Sequence, residues 1–251
     1  MAAPKRATMT ALPSPPSDLL DGAALFLDFD GTLVELAETP DAVRVSSALG
    51  PLLDRLQRRL GGRLAIVSGR ALADLERHVP RAGIAFSGSH GLELQWPDRT
   101  RLPLSAPLGL DDAREAVAGF AAATPGLLIE DKPAGIALHY RLAPAEGVRA
   151  EAFMAALAKR YGWAVQRGAM VVELRPHGAT KGDAIKAFMR ATDFAHARPV
   201  FVGDDLTDEH AFAAAAALGG AGVLVGPERE TAARYGLPSV TAVARWLGSW
   251  A

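Results

Sequence analysis

The sequence predicts a doubly wound, mostly parallel α/β sheet interrupted by a smaller α+β domain. Three observations predict it. Short continuous apolar runs at Ala23–Leu27, Leu64–Val67 and Pro199–Val202 each end in polar residues, as strands buried on both faces of a parallel sheet do. Segments with helical spacing of apolar residues separate those runs. Between about Pro103 and Pro176 the pattern changes to helix, hairpin, helix, hairpin, which is antiparallel. The 251 residues are 49% hydrophobic and 22% charged, enough for a buried core and incompatible with wholesale disorder.

Taken in order, residues 1–20 read as a flexible tail. Lys5 and Arg6 are followed by a Pro-, Ser- and Thr-rich stretch rather than the apolar run of a secretory signal. The first strand, Ala23–Leu27, ends at Asp28. Val43–Leu60 has helical spacing (Leu49, Leu52, Leu53, Leu56, Leu60) and stops at Gly61-Gly62. A second strand, Leu64–Val67, runs into Ser68-Gly69-Arg70; a short helix near Leu72–His78 and a third strand at Ile84–Phe86 follow.

The interrupting segment reads as a duplicated αββ unit. Its helices are expected at Asp111–Ala123 and Gly147–Tyr161. Its hairpins pair Leu127–Lys132 with Gly135–Arg141 around Pro133-Ala134, and Trp163–Gln166 with Met170–Arg175 around Arg167-Gly168. The α/β pattern then resumes: a helix from Lys181 to about Ala191, the strand ending at Gly203-Asp204-Asp205, an Ala-rich helix Asp208–Leu218, a strand Gly222–Val225 and a closing helix Thr241–Leu247. The expected organisation is a tail (1–20), a core domain (21–103 and 176–251) and an inserted α+β domain (104–175), joined by linkers near Pro97–Pro107 and Pro176–Ala179 that make a hinge.

Charge narrows the function. Lys and Arg number 27 against 28 Asp and Glu, a net charge of −1, so no field gathers nucleic acid or an anionic membrane. The absence of cysteine excludes disulfides, thiolate metal sites and cysteine nucleophiles. The longest uncharged stretch, Ala211–Gly226, is Ala- and Gly-rich and shorter than the ~20 apolar residues of a membrane span. A cytoplasmic monomer with no nucleic-acid or membrane partner is expected.

The chemistry gathers at strand ends. Asp28-Phe29-Asp30-Gly31-Thr32 places two carboxylates beside a glycine that permits a turn and a close backbone approach. A further acidic pair, Asp204-Asp205, ends another strand, and bunching these anions is costly unless a hard cation such as magnesium binds. Asp208 suits either the surroundings of such a metal or a helix cap. Lys181, in the first turn of a helix, opposes the helix dipole and calls for a local anion. His90 is as consistent with a loop contact as with a ligand, and the remaining histidines have no zinc-site spacing.

Asp28-Phe29-Asp30-Gly31-Thr32, Ser68, Lys181 and Gly203-Asp204-Asp205 resemble, in order, the four motifs of the haloacid dehalogenase-like superfamily. The resemblance implies a Rossmann-like core with a cap domain, and phosphoryl transfer through an aspartyl-phosphate with Mg2+. It implies Asp28 as nucleophile and Asp30 as acid and base. The metal would be held by Asp28, the backbone carbonyl of Asp30, and Asp204, with Asp205 and Asp208 behind it. Thr32, Ser68 and Lys181 would bind phosphate. Val67-Ser68-Gly69-Arg70, Gly88-Ser89-His90-Gly91-Leu92-Glu93, Glu130-Asp131-Lys132, His139-Tyr140-Arg141, Glu173-Leu174-Arg175-Pro176 and Gly203 to Glu209 together resemble trehalose-6-phosphate phosphatases. That resemblance implies hydrolysis of trehalose 6-phosphate, with Glu130, Lys132 and Glu173 on sugar hydroxyls and Arg70 and Arg141 lining the cleft. By strand alternation Glu130 and Lys132 share one face, so cross-strand ion pairing is the competing expectation for these charges. The alternatives are a phosphatase for another sugar phosphate, such as sucrose phosphate, and an inactive sugar-phosphate-binding regulatory module.

Overall fold

The structure, a computed structural model, describes residues 11–37, 39, 42–80, 83–102, 108–132, 134–176, 180–191 and 193–251. The chain divides into two compact units, one formed by Met1–Arg101 and Thr180–Ala251, the other by Leu102–Ala179.

The first unit is built on a seven-stranded sheet. Its strands are β1 (Ala23–Leu27), β2 (Leu64–Val67), β3 (Ala85–Gly88), β4 (Glu93–Gln95), β9 (Arg198–Gly203), β10 (Ala221–Val225) and β11 (Tyr235–Leu237). They lie in the order β11-β10-β9-β1-β2-β3-β4, all parallel except for the antiparallel edge strand β4. The apolar runs are continuous because both faces are covered. Ala23, Leu25 and Leu27 of β1 enter one hydrophobic cluster and Ala24 and Phe26 the other. Val200 and Val202 of β9 separate from Phe201 in the same way.

Helices α1 (Leu49–Arg59), α2 (Leu72–His78) and α7 (Val240–Trp250) contribute to the first cluster, α5 (Lys181–Met189) and α6 (Glu209–Ala217) to the second. Leu49, Leu52, Leu53 and Leu56 form the buried stripe of α1, each side chain contributing roughly 1.5–3 kcal/mol by its removal from water. The chain leaves β1, winds outward through β2 and β3, and returns to the opposite side of β1 as β9. The winding direction therefore reverses between β1 and β9, where a doubly wound sheet opens its ligand crevice at the carboxyl ends of the strands.

The second unit carries an antiparallel sheet in the order β5-β6-β8-β7. Its strands are β5 (Leu128–Lys132), β6 (Gly135–His139), β7 (Trp163–Gly168) and β8 (Val171–Pro176), and its helices are α3 (Leu110–Ala122) and α4 (Gly147–Tyr161). Ile136, Leu138, Val172 and Leu174 pack with Leu110, Val117 and Met154 of the helices into a core of this unit's own. The opposite sheet face carries Glu130, Lys132, His139 and Glu173 together with Leu128, Ala137 and Val171.

Several expectations change. Helix α1 begins at Leu49, not Val43: Val43 and Val45 are partly buried and Arg44 between them exposed, the alternation of an extended segment, and the Ser46 hydroxyl accepts the Ala48 N–H. The β7–β8 turn is Ala169-Met170 rather than Arg167-Gly168, because Gly168 pairs with Val171 and Met170 takes the left-handed conformation at φ 63°. Helix α7 continues past Leu247 because Trp250 is buried and donates its indole N–H to Asp21. Of the expected tail, residues 1–10 lie outside the described residues. From Leu12 the chain packs onto the first unit: Pro13 accepts the Gly236 N–H at 3.0 Å, and Leu20 is fully buried. Pro133, residues 103–107 of the first expected linker and 177–179 of the second also lie outside the described residues. Among the described residues no helix is long and apolar enough to cross a membrane.

Candidate active site

Asp28 and Asp204 follow directly on β1 and β9, the two strands that flank the reversal point. The Asp28 N–H continues the ladder to the Val202 carbonyl at 2.9 Å. The chain then turns tightly: the Leu33 and Val34 N–H groups both donate to the Phe29 carbonyl, with Gly31 at φ 75°. A Cβ on Gly31 would lie 2.1 Å from Asp204 Oδ2. The glycine is therefore needed both for the turn and for the approach of that carboxylate.

Lys181 enters from α5, whose start is fixed by reciprocal capping between Thr180 and Asp183. Its Nζ lies 2.8 Å from Asp28 Oδ1 and 2.6 Å from Asp208 Oδ1. These anions, with Asp183 in the same turn, answer the cation at the helix start. Asp208, fully buried, uses its other oxygen to accept the Asp205 N–H at 2.9 Å, so it closes the turn before α6 and is a member of the cluster, while its side chain makes no cap bond to α6 itself. Asp28, Asp204 and Asp208 each offer one oxygen within 4.8 Å of the others.

Three carboxylates against one ammonium leave a formal surplus of two negative charges in a site that is mostly sealed from water. Burial pushes the Asp28 carboxyl well above the usual carboxylate range; Lys181 pulls it down, and Asp208 and Asp204 push it further up. Burial, with Asp208 next, raises Asp204 to about 6. Burial works against the Lys181 ammonium, but Asp208 and Asp28 outweigh it and hold the pKa above the usual lysine value. One divalent cation cancels the surplus, and an all-oxygen donor set suits a hard ion such as Mg2+.

The Asp30 carboxylate stands in a different arrangement. Arg70 grips it at both oxygens, Nε to Oδ2 at 2.6 Å and Nη2 to Oδ1 at 2.9 Å, while its Nη1 reaches Asp74 at 2.5 Å. The Arg70 N–H donates to the Ser68 hydroxyl at 3.1 Å. Thr32 is fully buried and donates to Asp204 Oδ1 at 3.4 Å.

In the second unit Glu130, Ala137, Glu173 and Gln166 stand opposite one another in a row across the four strands. The small Ala137 leaves the space over which Lys132 Nζ reaches Glu173 at 2.7 Å and Glu130 at 4.0 Å. His139 Nε2 lies 2.9 Å from the other Glu130 oxygen. Burial disfavours the Lys132 ammonium, but Glu173 and Glu130 raise its pKa above the usual lysine value. Arg141 is exposed outside the row and donates to the Ala169 carbonyl.

A family model described as trehalose-phosphatase matches residues 26–240. The chain belongs to the trehalose-phosphatase family. It is 42% identical over 227 residues to a probable trehalose-phosphate phosphatase of Sinorhizobium fredii (strain NBRC 101917 / NGR234), covering 89% of this chain and 86% of that protein. It is 36% identical over 239 residues to the trehalose-6-phosphate phosphatase of Escherichia coli (strain K12), covering 89% and 85%. The solved C-terminal domain of the C. albicans trehalose-6-phosphate phosphatase superposes with a TM-score of 0.82 at 26% identity, covering 97% of this chain and 99% of that one. The sheet core is the haloacid dehalogenase-like fold that the motif order led us to expect.

Within this trehalose-phosphatase fold, the first unit gathers Asp28, Thr32, Lys181, Asp204 and Asp208 in direct side-chain contact or within one cluster. Ser68 and Asp30 join through Arg70. Asp205 is exposed; it is tied to Asp208 by a reciprocal capping arrangement and its carbonyl accepts from Arg229. Glu130, Lys132 and Glu173 form their own group in the second unit, as a buried ion pair with a third carboxylate beside it. Sequence reasoning missed Asp74, in the first turn of α2, which Arg70 reaches from the loop before that helix. It also missed Glu209 and Arg229, treated below.

Proposed function

We propose that this trehalose-phosphatase family member hydrolyses trehalose 6-phosphate to trehalose and inorganic phosphate through an aspartyl-phosphate on Asp28, with Mg2+ as cofactor. The observation that carries the reading is the seating of a buried carboxylate, Asp28, at the reversal point of the sheet, 2.8 Å from Lys181 and grouped with Asp204 and Asp208. The names of the relatives supply the sugar.

Asp28 attacks phosphorus, and the bond from phosphorus to the sugar oxygen breaks. Asp30 gives its proton to the departing alkoxide. A water then attacks the phosphorus of the aspartyl-phosphate, Asp30 takes its proton back, and inorganic phosphate leaves with Asp28 restored. Arg70 donates once to each Asp30 oxygen, which leaves a second lone pair on each for the transferred proton. Lys181 favours the ionised form of Asp28, against burial and the neighbouring carboxylates, and offsets the charge of the phosphate. Thr32 and Ser68 bring hydroxyls to phosphate oxygens.

Asp28 and Asp204, with the carbonyl of Asp30, would hold the Mg2+, and Asp208 and Asp205 would support them. When bound, the ion offsets repulsion between a carboxylate and a dianionic phosphate and stabilises the transferring group. The charged group on the second unit's sheet suits a disaccharide. Glu130, Lys132 and Glu173 are ionised groups that make strong bonds to hydroxyls, and a site built on such bonds rejects analogues lacking them.

A panel of sugar phosphates assayed with and without chelator tests the reading. The expected result is turnover of trehalose 6-phosphate well above that of sucrose phosphate or simple hexose phosphates, lost on chelation and in Asp28→Asn. Equal turnover across the panel removes the assigned sugar, and turnover that survives chelation removes the metal.

A further inference from the structure

Strand β9 pairs with β10 as far as Gly203, opposite Leu224, and there the ladder ends. Asp204 and Asp205 lie beyond it, so their carbonyls need partners from outside the sheet. The Asp205 carbonyl accepts the Asp208 N–H at 3.1 Å, and one side chain reaches both carbonyls. Arg229, in the loop between β10 and β11, donates from Nη2 to the Asp205 carbonyl at 2.8 Å and to the Asp204 carbonyl at 3.4 Å. Its Nη1 pairs with the Glu209 carboxylate. Glu209, in the first turn of α6, holds the same loop from its other oxygen by accepting the Ala232 N–H at 2.8 Å. Arg229 and Glu209 are both largely buried.

We propose that Arg229, oriented by Glu209, is a positioning residue that sets the Asp204 carboxylate for the divalent cation. The inference rests on the reading of Asp204 as a metal ligand. Asp204 has almost no freedom on its inner side, where its carboxylate fills the space of a Gly31 side chain. On the outer side Asp208 holds the Asp205 N–H and carbonyl, but apart from Arg229 no hydrogen bond among the described residues holds the Asp204 carbonyl, and a half-buried carboxylate among like charges gains by swinging toward water. Arg229 removes that freedom at two consecutive carbonyls, which a planar guanidinium can span and a lysine ammonium cannot. It does so without touching the carboxylate, so it fixes the ligand's position and leaves its charge for the metal. Outer groups that orient ligands in this way are typically worth about 10- to 100-fold in metal affinity.

The test uses the full chain, stripped of metal, as wild type, Arg229→Ala, Arg229→Lys and Glu209→Gln. Magnesium chloride alone is titrated by calorimetry and by the rise in unfolding temperature it produces. The expected result is a loss of Mg2+ affinity of about tenfold or more in both Arg229 variants, with a smaller loss in Glu209→Gln, while the metal-free unfolding temperatures stay close to wild type. A loop pin without a positioning role gives the reverse pattern, lowered metal-free stability with unchanged affinity, and overturns the inference. If Arg229→Ala does not fold, Arg229→Lys decides, since it keeps the charge and loses only the two-carbonyl grip. A wild type that binds no Mg2+ defeats the metal reading of Asp204 instead, which separates the two failures.

Discussion

The Asp204 carboxylate occupies the space that a side chain on Gly31 would fill, with Oδ2 only 2.1 Å from the position of a Cβ there. The two residues stand 173 positions apart and come from the ends of two adjacent strands. Gly31→Ala meets two penalties: the clash, and a left-handed backbone at φ 75° that costs an L-residue about 1–2 kcal/mol. We expect this variant to fold with reduced stability and to lose Mg2+ affinity and turnover together. Thermal unfolding with and without Mg2+ checks it, and an unchanged response to the ion contradicts the tight packing.

Lys181 neutralises one of three clustered carboxylates, of which Asp28 and Asp208 are buried and Asp204 half-buried. Removing one partner of a buried charge cluster typically costs about 3–5 kcal/mol. Lys181→Ala is expected to lose stability on that scale, measured by denaturant unfolding, and to regain part of it on adding Mg2+. A loss below about 1 kcal/mol, the range of surface pairs, would show that the cluster is solvated.

Asp30 has two jobs in the proposed cycle, and they separate with leaving group. An aryl phosphate leaves without help from an acid, whereas a sugar alkoxide needs the proton; loss of a general acid or base typically costs 10²–10⁴-fold, about the range to look for. Asp30→Asn is expected to lose turnover on the sugar phosphate in that range. On an aryl phosphate it should release one equivalent of phenol rapidly and then turn over slowly, because the water step still lacks its base. Rapid-quench kinetics checks this; a steady rate with no burst contradicts the double role.

The second unit's pair, Lys132 and Glu173, is buried, so truncating either disturbs the fold as well as any ligand contact. Glu130 is the cleaner probe, since it is about a third exposed and lies at the edge of the group. Glu130→Ala should lower kcat/KM for the disaccharide phosphate at least tenfold and barely change it for an aryl phosphate. Parallel losses on both substrates would mean that Glu130 acts through folding.

Much of the core was legible in the sequence because β1, β2 and β9 are buried on both faces and read as unbroken apolar runs. Strands β4 and β11 escaped notice: three residues each are too short to show a period, and they earn their place by pairing at the sheet edges. Val43 and Val45 mimicked helical spacing while following strand spacing. The β7–β8 turn was placed at the glycine because Met170 adopts a conformation that glycine usually supplies. Asp28, Asp30 and Asp204 were legible from motif order. Asp208 fits metal surroundings or a cap on the helix it begins; its side chain makes no cap bond to α6, and its two oxygens go to Lys181 and to the Asp205 N–H of the preceding turn. Arg229 carries no local signal; only the way the chain folds back after β10 brings it to Asp204.

The most direct test of the central claim is to locate the phosphate during turnover. Asp30→Asn, expected to form the intermediate from an aryl phosphate but to hydrolyse it slowly, is mixed with an aryl phosphate and Mg2+, quenched in acid, digested and analysed by mass spectrometry. The account predicts a phosphate on the peptide containing Asp28, absent when a chelator precedes the substrate and absent in the Asp28→Asn variant. Phosphate on no peptide, or on a different residue while Asp28→Asn still turns over substrate, would contradict it.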